Sequence, residues 1–304
     1  MRIGIDLGGT KIEAMALDER GHCLFQSRTP TPVGDYQATL NTLVDLVHQA
    51  EQATGEKGTV GIGTPGSANP ISGLMRNSNS TCLNGQALQP DLEKQLKRQV
   101  RLANDADCFA LSEATDGAAA GITSVFGVII GTGTGAGVVI NGQLIPSINR
   151  IAGEWGHNPL PWPTAEEQPG DRCYCGKNGC LETFLSGPGL CRDYQRESGI
   201  EVSGQQFAER LAQGNSEAET VMARYEDRLA RGLASVINIL DPGAVVLGGG
   251  LSNLERLYQN VPKLWSRYIF SDAINTLLLP PRYGDASGVR GAAWLWNDRE
   301  RERV

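Results

Sequence analysis

The chain opens on a strand-like apolar stretch over 2–7, a tight glycine turn, and two further strand-like runs over 11–18 and 22–28. Apolar residues at helical spacing then predict a helix over 36–54, a strand over 59–63, a helix over 88–99, a short strand over 100–103 and a helix over 106–120. The plan begins again with a strand over 124–130, a glycine-rich turn over 131–137 and a strand over 138–140. Asn141-Gly142 marks a hairpin turn into a third strand. Helices return later, with a long one over 218–240, then a strand over 244–247, three glycines and a helix from about 252. Three strands followed by helix, strand and helix, twice over, predict a duplicated α/β architecture with a cleft between the halves. The likeness of the halves lies in pattern, not in residue identity.

The turns between these elements carry the first chemistry. Asp6 ends the first strand and is followed by Leu7 and then Gly8-Gly9-Thr10-Lys11. Glycines there let backbone N–H groups approach an anion, because no Cβ intervenes. Thr10 adds a hydroxyl, Lys11 a charge, and Asp6 stands where it could organise a hydrated Mg²⁺. The segment reads as a triphosphate cradle or as a plain hairpin turn. It is not a P-loop, since a strand rather than a helix follows. Gly131-Thr132-Gly133-Thr134-Gly135 is a second such turn and fails the dinucleotide fingerprint for the same reason. The third cluster, Gly248-Gly249-Gly250, lies between strand and helix. It suits the face of an adenine ring or close strand–helix packing.

Composition narrows the reading. A chain of 304 residues can bury a large core and form two domains, and 40% hydrophobic with 20% charged residues is ordinary for a globular protein. A formal charge of −7 leaves no basic footprint for nucleic acid. No stretch is apolar for long enough to span a bilayer. Strand-like residues begin at Arg2, without a basic segment and apolar core of a leader, so a cytoplasmic location is expected. In that compartment the seven cysteines are not a disulfide set.

Three of them fall within eight residues, Cys173-x-Cys175-x₄-Cys180, with His157 upstream. Three thiolates and an imidazole make a closed tetrahedral zinc site, with Gly176 and Gly179 letting the loop fold back. Zinc on one nitrogen of His157 would leave the other to face a ligand hydroxyl. Asn104-Asp105 sits where an apolar strand passes into a helix, a usual place for a site in an open α/β sheet and also a good helix cap. Asp105 there could serve as a general base. Glu154, Glu182, Asn104 and His157 have the acceptors and donors that vicinal sugar hydroxyls require, although a lone glutamate is commonly a solvated surface charge.

Asp6-Leu-Gly-Gly-Thr-Lys11, Gly63-Thr-Pro-Gly66, Asn104-Asp-Ala106, the glycine turn 131–137, Gly153-Glu-Trp-Gly-His157, the cysteine loop through Glu182 and Leu247-Gly-Gly-Gly250 together resemble the ROK family of sugar kinases and sugar-responsive repressors. The resemblance covers essentially the whole chain. Within the family, Asn79-Ser-Thr81, Gly156-His-Asn-Pro-Leu-Pro-Trp162 and Gly288-Val-Arg-Gly-Ala-Ala-Trp294 look most like the bacterial fructokinases, also called manno(fructo)kinases. The resemblance implies an actin-like, ribonuclease-H-like α/β fold of two βββαβα-type domains. One would span 1–118 plus 288–304, with the helix over 289–296 returning to it, and the other 119–287. It implies ATP-dependent phosphorylation of a free hexose, D-fructose first, with Asp105 as base. Asn104, Asp105, Glu154, His157 and Glu182 would meet the sugar, with Gly66 and Asn79 at further sugar-side positions. Asp6, Gly8, Gly9, Thr10, Lys11, Gly131, Thr132, Gly133, Gly135, Gly248, Gly249 and Gly250 would meet Mg²⁺-ATP. Zn²⁺ would be structural, on His157, Cys173, Cys175 and Cys180. The resemblance also suggests a homodimer.

The alternatives are a kinase for mannose, glucose, N-acetylglucosamine or N-acetylmannosamine, a sugar-sensing repressor and a zinc hydrolase. A repressor would need a helix-turn-helix ahead of Asp6, where five residues stand. A hydrolase would need an open coordination position. Cys23, Cys82, Cys108 and Cys191 read as small, mostly buried residues, and His22 and His48 as surface. Trp155, Trp162, Trp294 and Trp296 read as core or interface packing, and 297–304 as a frayed tail.

Overall fold

The computed structural model describes residues 1–297, so the expected tail lies, apart from Asn297, outside the described residues. Two compact units emerge. The first comprises Met1–Gly121, Gly137–Gly153 and the segment from Arg282 onward, and the second Ile122–Ala136 and Glu154–Pro281.

In the first unit, β1 (Arg2–Leu7), β2 (Lys11–Leu17) and β3 (Cys23–Pro30) form an antiparallel meander. Helix α1 (Tyr36–Thr54) starts at Asp35, whose carboxylate accepts from the Ala38 N–H, and stops at left-handed Gly55. It leads to β4 (Thr59–Thr64), which pairs parallel with β1. The small β5 (Ser67–Ala68) and β6 (Met75–Arg76) hairpin and α2 (Leu88–Leu96) precede β7 (Val100–Asn104), which completes the sheet order β3-β2-β1-β4-β7. The core of this unit gathers Ile3, Ile5, Ile12, Leu43, Val47, Val60, Ile62, Leu88 and Val100. Helix α3 (Asp105–Thr115) follows β7 directly. It ends five residues short of the expected boundary, at a cap where the Asp116 N–H bonds Ser112 O.

The second sheet has the order β10-β9-β8-β11-β12, from β8 (Ser124–Ile130), β9 (Thr134–Ile140), β10 (Gln143–Leu144), β11 (Ala244–Gly248) and β12 (Leu277–Leu279). The same succession of an antiparallel edge and parallel strands thus recurs. Asn141 and Gly142 both take positive φ, so the β9–β10 hairpin forms as expected, but its third strand is two residues long. From Gly137 onward β9 belongs with the first unit, unlike the single segment 119–287 expected for the second domain. A Cβ at Gly137 would stand 2.7 Å from Ala106 O and 2.9 Å from the Ala110 Cβ, so the strand lies against α3.

The second unit adds α4 (Leu181–Leu185), α5 (Gly187–Ser198), α6 (Gly204–Ala212), α7 (Ser216–Leu240) and α8 (Arg256–Trp265). Glu167, from the loop before α4, accepts from Arg228 and Arg231 of α7. Burial alone would raise the Glu167 carboxyl, but these two guanidiniums hold it down at about 2. The last element, α9 (Ser287–Ala293), packs in the first unit. Among the described residues no helix is long and apolar enough to cross a membrane.

Helix α9 approaches its neighbours at backbone distance. A Cβ at Gly4 would stand 2.1 Å from Val289 O, one at Gly61 2.0 Å from Ala292 O, and one at Gly291 1.6 Å from Cys108 O. Gly291→Ala is therefore expected to destabilise the protein by about 3 kcal/mol. Gly204→Ala, at an open helix start with nothing near, should change stability by less than about 0.5 kcal/mol. Urea midpoints of the two variants against wild type check the contrast. Equal midpoints would show that α9 is not held by this contact.

Candidate active site

The parallel register of the first unit sets Asp6 beside Gly63, and Thr64 beside Asn104. Asp6 and Asn104 therefore reach the carboxyl ends of their strands together, the edge at which open α/β sheets bind ligands. The Asn104 side chain caps α3 by accepting from the Asp107 N–H at 2.5 Å, which makes Asp105 the first helical residue. Asp105 Oδ1 accepts from the Ala106 N–H at 2.8 Å. The surrounding protein raises its carboxyl above the ordinary value, while the residue keeps an open edge to solvent. Asp6 is half-buried. Burial first, then the charges of Asp105 and Glu13, raise its carboxyl to about 6 against the pull of Lys11. Burial and two acidic neighbours outweigh Lys11 there, and a divalent cation such as Mg²⁺ would relieve that repulsion.

The turn after β1 is shaped by Gly8, whose N–H donates to Lys11 O at 3.0 Å and whose added Cβ would stand 2.7 Å from that oxygen. Thr31 braces it by donating from its hydroxyl to Gly8 O at 2.7 Å. Gly9 and Thr10 remain exposed at the tip. Gly66 takes positive φ, and a Cβ there would strike Arg76 O at 2.4 Å. Asn79 is exposed in a loop that Ser78 and Asn84 bond to itself. Asn79 and the turn residues Gly9 and Thr10 line one cavity of about 370 Å³.

In the second unit, the turn Gly131–Gly135 and the cluster Gly248–Gly250 end the adjacent parallel strands β8 and β11. Gly249 has positive φ, and a Cβ there would meet Ile130 O at 2.6 Å. The helix expected from about 252 begins instead as a 3₁₀ turn over Gly250–Asn253, with Ser252 Oγ donating to Gly249 O; α8 starts later. Thr132 is exposed at the tip of its turn. Glu154 and His157 flank Gly156, which lies on β9, since a Cβ there would stand 2.1 Å from Thr134 O.

His157, Cys173, Cys175 and Cys180 present ligand atoms all within 4.8 Å of one another. Cys173 Sγ stands 3.5 Å from His157 Nδ1, and Cys175 Sγ 3.6 Å from Cys180 Sγ. A tetrahedron with metal–sulfur bonds of about 2.3 Å has edges of about 3.8 Å, so the set fits Zn²⁺. A disulfide does not form at that separation, and all seven cysteines are free.

Two features escaped the sequence. Glu182 Oε2 accepts from the Thr134 N–H at 3.0 Å, so the residue after the cysteine loop also braces the second glycine turn. The second nitrogen of His157, expected to face a ligand hydroxyl, instead meets Tyr174 Oη at 2.9 Å. A tyrosine inside a cysteine loop has no periodicity or spacing to flag it. Of the remaining cysteines Cys108 is buried, but Cys23 is exposed, because β3 is the edge strand of its sheet. Trp155 and Trp296 are buried, whereas Trp162 is half exposed and stacks on Tyr268.

A family model described as the ROK family matches residues 2–299. An N-acetyl-D-glucosamine kinase of Yersinia enterocolitica is 40% identical over 299 residues, covering 97% of this chain and 99% of that protein. The ROK hexokinase of Thermus thermophilus superposes with a TM-score of 0.87 at 31% identity, over 97% of each chain. A ROK family glucokinase from Streptomyces griseus, solved with glucose and AMPPNP, gives a TM-score of 0.77 at 26% identity over 99% of each chain. The fold is that of the actin-like, ribonuclease-H-like ATPases. The chain belongs to the ROK family.

Proposed function

We propose that the protein transfers the γ-phosphoryl group of ATP to the primary hydroxyl of a free hexose. The observation that carries this reading is the meeting, at the carboxyl ends of β1, β4 and β7, of a glycine turn, the half-buried Asp6 and the helix-starting Asp105. Phosphoryl transfer passes through a loose transition state, so it asks the protein mainly to position groups and stabilise charge. Gly8, Gly9, Thr10 and Lys11 suit the phosphates of ATP, and so, taken by themselves, do the glycine clusters Gly131, Thr132, Gly133, Gly135 and Gly248–Gly250. Mg²⁺ at Asp6 would neutralise charge on the phosphates. Asp105, with its raised carboxyl, takes the proton of the attacking hydroxyl, a role worth about 10²–10⁴ in rate. Asn104, Glu154, His157 and Glu182, with Gly66 and Asn79, supply the sugar side. Zn²⁺ on His157, Cys173, Cys175 and Cys180 would hold the loop that runs into α4, of which Glu182 is the second residue.

Which hexose reacts is set by contacts worth about 1–3 kcal/mol, less than fold or overall identity reports. Two sugars follow from two observations. The comparisons favour N-acetyl-D-glucosamine, the sugar named for the relative at 40% identity. The stretches 79–81, 156–162 and 288–294 favour D-fructose. Sugar-dependent ADP release with Mg²⁺-ATP, run side by side on both sugars and on mannose, glucose and N-acetylmannosamine, tests the reading. Stimulation by at least one is expected, and the best of them names the substrate. No stimulation by any hexose contradicts the proposal.

Cys175→Ser is expected to lose bound zinc and to lower Tm by about 10 °C, read by metal analysis and calorimetry. Wild-type protein that is metal-free yet equally stable would remove zinc from the account. Asp6 gives a pH dependence of opposite sign to an ordinary salt-bridged carboxylate. The folded state binds its proton more tightly than the unfolded chain between pH 3.8 and about 6. Its contribution to stability therefore falls as pH rises through that window. Asp6→Asn should flatten this part of the stability curve, as followed by urea midpoints. An unchanged curve would show that Asp6 is not the group responsible.

A further inference from the structure

Thr31 stands between Pro30 and Pro32, immediately after β3. A residue before proline is confined to extended backbone, so Pro32 presets the conformation of Thr31. Neither proline has an N–H, which leaves Thr31 as the backbone donor of this stretch. Both of its donors go to the first glycine turn. The Thr31 N–H donates to Thr10 O at 3.0 Å, and the Thr31 hydroxyl donates to Gly8 O at 2.7 Å. The two carbonyls lie on either side of Gly9, so one residue grips the turn from both sides of its tip.

A plain hairpin closes differently. In an antiparallel pair, the residues that flank a two-residue loop exchange both of their backbone bonds. Here the Gly8 N–H donates to Lys11 O at 3.0 Å, but among the described residues the return bond from the Lys11 N–H to Gly8 O is not made. Gly8 O meets the Thr31 hydroxyl instead. The C=O and N–H of a trans peptide point in opposite directions, so a Gly8 carbonyl aimed at Thr31 aims the Gly9 N–H away from it. Gly9 and Thr10 are exposed, and among the described residues neither of their N–H groups has a protein acceptor.

We propose that Thr31 is a positioning residue for the nucleotide. By holding the Gly8 and Thr10 carbonyls it presents the Gly9 and Thr10 N–H groups, unpaired, to the phosphates of ATP. A turn binds an anion through backbone N–H groups that the fold leaves free, and the clamp keeps Gly8 O from closing the hairpin in the ordinary way. The inference rests on the kinase reading above, and it makes the first glycine turn a cradle rather than a plain hairpin. Thr31 acts through the turn and not by touching substrate.

The test is a pair of variants. Thr31→Val keeps the β-branched shape and the N–H and removes the hydroxyl, whereas Thr31→Ser keeps the hydroxyl. Each is compared with wild type by calorimetric binding of Mg²⁺-AMPPNP, by binding of the best wild-type hexose without nucleotide, and by KM for ATP and for that hexose. Loss of the hydrogen bond should weaken Mg²⁺-AMPPNP binding by Thr31→Val about 3- to 10-fold and raise KM for ATP to match. Hexose affinity and the KM for hexose should stay at wild-type values, and Thr31→Ser should bind nucleotide as wild type does. Unchanged nucleotide binding by Thr31→Val would overturn the assignment. So would an equal loss of hexose binding, or a nucleotide defect shared by Thr31→Ser, since either would make Thr31 part of the general scaffold. Wild-type protein that binds no Mg²⁺-AMPPNP would instead contradict the kinase reading itself, and the role of the clamp with it.

Discussion

The approach of α9 to the first sheet is the contact on which the chemistry of that unit depends. Gly4 and Gly61 are partners in the β1–β4 register, so the two glycines form a flat patch across neighbouring strands, and α9 lies on it. Gly291 admits the backbone of α3 to the other side of the same helix. The start of α9 then closes on Asp6, since a Cβ at Gly288 would stand 3.2 Å from Asp6 Oδ2. A segment nearly three hundred residues away in sequence thus helps desolvate the carboxylate, and desolvation is the first reason its acidity is weakened. The seam has a polar anchor as well. Glu113 of α3 is fully buried and accepts from Ser287 Oγ, the Arg282 N–H and the Ala118 N–H.

The second unit solves a related problem with a loop. The cysteine loop has little regular structure and few apolar residues, so its shape must come from cross-links. Positive-φ Gly176 and Gly179 turn it back, Leu160 N–H donates to Gly179 O, and Leu181 N–H donates to Asn158 O. Glu182 then fastens the loop's end to Thr134 in the second glycine turn. The elements suited to a metal, a sugar hydroxyl and a phosphate are therefore joined by a few hydrogen bonds.

Much of this was legible in the sequence where the signal is local. The bounds of α1 follow from Asp35 and Gly55, and the glycine turns announce themselves by composition. The metal set was readable because three ligands fall close together. What stayed hidden depends on contacts between distant segments. The second role of Glu182, the burial of Glu113 and the tie from Tyr174 to His157 leave no trace in periodicity. Strand β12, three residues long, and the β5–β6 hairpin are too short to show a pattern. The early end of α3 lies where the N–H groups of Asp116 and Gly117 both donate to Ser112 O, a turn that no periodicity announces.

The central claim is that Asp105 acts on a bound hexose as the proton acceptor in phosphoryl transfer. Single-turnover transfer from Mg²⁺-ATP to the sugar, measured for Asp105→Asn beside calorimetric sugar binding, tests it most directly. The account predicts sugar affinity within about 3-fold of wild type and a transfer step slower by about 10²–10⁴. A transfer step at near wild-type speed would contradict it.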